Sequence, residues 1–147
     1  MKIQTKPFGM TEIDERQCLE FPHGIFGFEH HTQWALLDSS QPPFYWLQSL
    51  KDPELAFVLM SPYSFRPDYE LEIDHDDESL LMLEQQDDLL VMVIVTIPDD
   101  HTLMTANLQG PVLINKKNRI GKQTIQTDHR WKVRHRVLEE FSAIGVR

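Results

Sequence analysis

Seven histidines, a dense acidic stretch and one cysteine are the side chains of this 147-residue chain with the chemistry to bind a metal, move a proton or act as a nucleophile. The histidine groupings are His30-His31, His75 between Asp74 and Asp76, and His101 after Asp99-Asp100. Zinc sites draw His and Cys ligands at short, fixed spacings, and neither H-E-x-x-H nor C-x-x-C occurs here. Asp74-His75-Asp76-Asp77-Glu78 lacks both the ligand spacing and the sharp-turn glycine of a calcium loop. The sequence therefore predicts no bound metal. Cys18 has no second cysteine to pair with, and in Gln17-Cys18-Leu19-Glu20-Phe21 it alternates as a packing residue of a strand does. G-x-S-x-G, P-loop and G-x-G-x-x-G motifs are all missing, and adjacent carboxylates alone are no acid/base pair, so no catalytic residue and no cofactor are predicted.

Charge carries more information. Residues 1–115 hold 5 Lys/Arg against 20 Asp/Glu, residues 116–147 hold 9 against 3, and these balances of −15 and +6 make the net −9. Pro67 to Asp100 contains 12 acids and neither Lys nor Arg, so its surface repels nucleic acid and attracts basic partners. In the basic tail Arg130, Trp131, Lys132, Arg134 and Arg136 mix cations with an aromatic, which makes an RNA-associated β domain the alternative reading. An acid/base hydrolase of β-sandwich type is a third.

The elements that must position these residues read as short strands. Apolar and polar residues alternate between Pro/Gly breaks, with strands expected at 2–8, 17–21, 34–37, 45–50, 56–60, 71–73, 89–96, 104–106, 112–114 and 121–126. Asp76 to Glu84 is expected to be a short helix, with Asx capping and acids in its first turn. The tail alternates like an edge strand over 129–136 and leaves strand and helix both open beyond Val137. These expectations define an all-β, mostly antiparallel, barrel-like or sandwich domain with one or two short helices, a single domain over 1–147. The longest apolar run, Leu89 to Ile97, is far short of the roughly 20 residues a membrane helix needs, and no export signal opens the chain, so a cytoplasmic address is expected. Gly24 and Gly27 supply a positive φ for a tight turn, while Phe21, Ile25, Phe57, Val58, Val93 and Val95 have the character of core.

Four blocks in order are similar to the flagellar assembly factor FliW family. They are Phe21-Pro22-His23-Gly24-Ile25-Phe26-Gly27-Phe28-Glu29, then Pro43-Phe44-Tyr45-Trp46-Leu47-Gln48-Ser49-Leu50-Lys51-Asp52-Pro53. The third is Ala56-Phe57-Val58-Leu59 with Pro62, Phe65 and Pro67-Asp68-Tyr69. The fourth is Thr105-Ala106-Asn107-Leu108-Gln109-Gly110-Pro111, leading to Asn115, Arg119, Gly121 and Gln123.

The resemblance implies a cytoplasmic, non-enzymatic β-barrel protein that binds flagellin before export and also binds the RNA-binding regulator CsrA. Flagellin in excess occupies the factor and leaves CsrA free to repress; once flagellin is exported, the factor captures CsrA. The chain itself is expected to be a monomer when free, with no direct contact to nucleic acid or membrane. For flagellin, an aromatic patch of Phe28, Phe44, Trp46 and Tyr69 is the candidate, with Asn107 available to a partner's backbone. For CsrA, the acidic residues Asp68, Asp74, Asp76, Asp77 and Glu78 are the candidates.

Overall fold

The computed structural model describes residues 1–145. Its strands are β1 (Lys2–Thr5), β2 (Gly9–Glu12), β3 (Cys18–Glu20), β4 (Gln33–Asp38), β5 (Tyr45–Ser49), β6 (Ala56–Met60), β7 (Leu89–Thr96), β8 (Thr105–Ala106), β9 (Val112–Asn115), β10 (Ile120–Gln123) and β11 (His135–Arg136); its helices are α1 (His75–Leu81) and α2 (Val137–Gly145). The fold is all-β and mostly antiparallel, as the alternation predicts.

Seven strands, in the order β3-β4-β5-β6-β7-β9-β10, close on themselves through a single parallel β10–β3 step at Ile120 and Glu20. Closure gives every barrel strand a neighbour on each side, although β6 pairs only with the second half of β7. The long strand β7 makes it possible by changing partner along its length: Leu89–Met92 pairs with β9, and Val95–Thr96 pairs with β8, which in turn carries β11.

The apolar run of β7 reads as unbroken because both of its faces are buried. Met92 enters the barrel interior with Phe21, Ile25, Trp34, Leu47, Leu59 and Val112. Val93 and Val95 point outward into a second core, where Phe65, Tyr69, Leu108 and Trp131 of the flanking segments cover the wall. Of the core expected from sequence, Phe21, Ile25, Val93 and Val95 are buried, and Phe57 and Val58 are half-buried against it. A third cluster, Ile13, Ala35 and Leu37 with Trp46, lies under the β1–β2 hairpin.

Four local expectations need correction. The strand expected over 2–8 is a hairpin: Pro7 cannot donate to a ladder, Gly9 turns at φ +65°, and Thr5 Oγ1 accepts from Phe8 N and donates to the Gly9 carbonyl. Residues 71–73 form no strand, because the amide of Gln126 takes the place of a neighbouring strand, accepting from Glu72 N and donating to Glu72 O at 2.8 Å each. The helix begins at His75 rather than Asp76, since Asp74 caps it by accepting from Asp77 N, and it stops at Met82, where φ is +50°. The tail turns helical at Val137 after only two strand residues, because Trp131 is drawn into the outer core.

Candidate partner-binding surface

Four of the acidic candidates, Asp74, Asp76, Asp77 and Glu78, lie on α1 or at its cap. The helix is short, and tertiary bonds at both ends fix it. Asp77, 1% exposed, is ion-paired with Lys122 of β10 and accepts from Thr124 Oγ1 at 2.5 Å. At the other end Asn115 Nδ2 and Asn118 Nδ2 donate to the Leu81 carbonyl at 2.8 and 2.9 Å, satisfying an acceptor that a helix end leaves open. Burial works against the Asp77 charge, but the bonds from Lys122 and Thr124 outweigh it and hold its carboxyl below the usual range.

Asp77 is therefore a fold residue and offers nothing to a partner, which corrects its place among the acidic candidates. The others stay outside: Asp68, Asp74, Asp76 and Glu78 are exposed. Asp68 is bonded to Arg66 at 2.8 Å, and that bond keeps its carboxyl low. Asp74 Oδ1 is engaged in the helix cap at 2.8 Å.

The aromatic candidates do not form one patch. Tyr69 is 4% exposed, packs on Trp131, and donates its hydroxyl to the Leu108 carbonyl at 2.8 Å, so it too is corrected to a fold residue. Phe44 is half-buried against the outer core around Tyr69, and Trp46 is half-buried under the hairpin. Of the four, Phe28 alone is exposed, with its ring edge-on to that of Phe57 at 5.4 Å. Phe26, half exposed on the same turn, was missed in the sequence, where it reads as one more core aromatic. The turn is rigid: Gly24 sits at φ +66°, a Cβ there would stand 2.6 Å from the Phe28 carbonyl, and Gln123 Oε1 accepts from Phe26 N at 2.9 Å. Asn107 Oδ1 accepts from Gln109 N and Gly110 N, so its own turn engages that oxygen.

The basic tail loses its stacking platform. Trp131 is 1% exposed and donates its indole N–H to Glu70 O, while Arg130 lies over its ring and pairs with Asp128 and Glu70. A single-strand binder needs the opposite, aromatic faces open to bases.

Among the described residues no three His, Cys, Asp or Glu side chains converge to hold a metal, and no helix is long and apolar enough to cross a membrane. A groove of about 710 Å³ lies between α1 and β7, lined by aliphatic side chains and by Glu78 and Glu84.

Fold and surface together define a small closed β-barrel with a rigid acidic flank. The chain belongs to the FliW family, whose profile, described as FliW protein, matches residues 2–137. It is 46% identical over 145 residues to the flagellar assembly factor FliW of Treponema denticola, covering 99% of both chains, and 42% identical to that of Treponema pallidum, covering 97% of this chain and 95% of the relative. A crystal structure of the flagellar assembly factor FliW superposes with a TM-score of 0.87 at 40% identity, over 93% of this chain and 96% of that one. The family is one of assembly and regulatory factors, not of enzymes.

Proposed function

We propose that this chain is a single-domain cytoplasmic flagellar assembly factor that binds flagellin before export and, once flagellin is gone, captures the translational regulator CsrA and relieves its repression. Membership of the FliW family over nearly the whole chain carries the reading. The charge distribution supports a route to the antagonism: Asp74, Asp76 and Glu78 stand exposed at α1 and Asp68 is exposed as well, and a regulator that holds RNA is basic where it does so. Phe28, with Phe26 beside it, is the apolar anchor available to flagellin.

Calorimetric titration of the protein with monomeric flagellin and, separately, with CsrA of the same organism tests this at two salt concentrations. Saturable binding to both is expected, with the CsrA interaction weakening as salt rises. No heat with either partner would overturn the assignment. Reversing Asp74, Asp76 and Glu78 to Lys should weaken CsrA binding; unchanged binding and unchanged RNA release would remove the acidic flank from the mechanism.

A further inference from the structure

The groove between α1 and β7 is bordered by backbone that has lost its strand partners. In β7 the residues bonded to β9 are the even ones, since Asp88 O accepts from Lys116 N and the register pairs Leu90 with Ile114. By alternation, Leu89 and Val91 turn their backbone groups the other way, toward the edge that β6 covers further along at Met60 and Val93. Two residues on, the register would set Pro62 opposite Val91. Proline has no N–H to donate, and the chain leaves the sheet there as a single 3-10 turn over Pro62–Ser64. By the same alternation the N–H and C=O of Val91 face this edge, where the β6 pairing has already ended at Met60 and Val93.

The opposite wall repeats the pattern. Glu72 gives both backbone groups to Gln126, so those of Leu71 and Ile73 face away from it, and they are unbonded among the described residues. Leu71, Ile73, Leu83, Leu89 and Val91 line the groove as half-buried aliphatics, with Tyr63 at its side and Glu78 and Glu84 at the rim.

From this we propose that the groove takes one extended segment of a partner protein by strand addition to the first half of β7, a segment that alternates aliphatic side chains with Lys or Arg. Open strand edges supply main-chain bonds, aliphatic walls take every second side chain, and the carboxylates of Glu78 and Glu84 select the cations between them. The exposed acids Glu72, Asp74 and Asp76 add the same sign of charge on the chain that leads from the groove wall into α1. The proposal rests on the protein-binding reading above and adds the mode and chemistry of recognition.

The test uses the full chain and an acetylated octapeptide alternating valine and lysine. Saturable binding that weakens with salt is expected, and the amide proton of Val91 should exchange at least tenfold more slowly in the complex. A peptide N-methylated at alternate residues, and a valine–glutamate analogue, should each bind at least tenfold more weakly. The double variant Glu78→Lys/Glu84→Lys, checked for native circular dichroism, should lose the salt dependence. Failure of the octapeptide to bind, no change at Val91, equal binding of the N-methylated peptide, or protection of Val91 by concentration-dependent self-association would each overturn the proposal. Flagellin and CsrA titrations keep the two conclusions apart: if they bind while the peptide does not, only the groove assignment falls, and the reverse result overturns the assembly-factor reading alone.

Discussion

Lys122 of β10 reaches across to the buried carboxylate of Asp77 on α1, and this ion pair ties the acidic helix to the barrel. Removing Asp77 takes the counter-charge from the part-buried Lys122 and the acceptor from the Thr124 hydroxyl, which costs about 3 kcal/mol. Asp77→Ala should therefore lower stability by about that amount in urea melts, while Asp76→Ala, on the exposed face of the same helix, should change it by less than about 0.5 kcal/mol. Equal effects of the two would remove the pair from its anchoring role.

The same pair predicts an acid limit. The folded carboxyl of Asp77 lies below its unfolded value of about 3.9, so its contribution is present above about pH 4 and is lost as pH falls through the folded value. Stability measured from pH 6 down to pH 2.5 should drop for the parent protein and drop less steeply for Asp77→Asn. Identical slopes would contradict the assignment.

Tyr69→Phe removes the hydroxyl that donates to the Leu108 carbonyl while keeping the ring against Trp131. A buried acceptor left unbonded costs about 1–3 kcal/mol. Thermal melts should register that loss, and flagellin affinity should stay within twofold of the parent. A large fall in affinity at unchanged stability would return Tyr69 to the binding surface.

Phe28→Ala is expected to behave the other way round. With the residue 37% exposed, its removal should cost little stability, whereas flagellin binding should weaken at least tenfold, about 1.4 kcal/mol, if this turn is the anchor. Titration of the variant beside Phe26→Ala would show whether one ring or both carry the contact.

Gln123→Met keeps the length of the side chain but leaves Phe26 N–H and the Gly110 carbonyl without the partners they have now at 2.9 Å each. The buried Gly110 carbonyl left unbonded costs about 1–3 kcal/mol, and the part-buried Phe26 N–H adds to it. Denaturant melts should show that loss, and amide exchange should rise first at Phe26.

Much of the barrel was legible because alternation and Pro/Gly breaks are local signals. Leu89 to Thr96 reads as a buried strand from its own residues, and the cap at Asp74 is written four residues from the centre of the helix it starts. What escaped depends on partners distant in sequence. Nothing near Leu71–Ile73 announces that the amide of Gln126 will replace a strand, and nothing near Asp77 announces Lys122 or Thr124. An acid in an acidic run reads as solvated, and Tyr69 in a family motif reads as available; both are turned inward by contacts made some 40 residues later in the chain. The groove was invisible for the same reason, since Pro62, Glu72 and Val91 acquire a common meaning only once the sheet has closed.

Three buried glutamines hold loops onto the barrel: Gln48 accepts from Lys6 N and donates to the Ser49, Pro53 and Leu55 carbonyls, Gln123 joins the Phe26 turn to Gly110, and Gln126 holds Glu72. An amide neither gains nor loses a proton in water and gathers no counterions. A molecule of net charge −9 thus keeps much of its architecture on neutral fastenings. Dissolved ions can retune its attraction for basic partners while those loops stay where they are, so shape and affinity answer to different features of the surrounding solution.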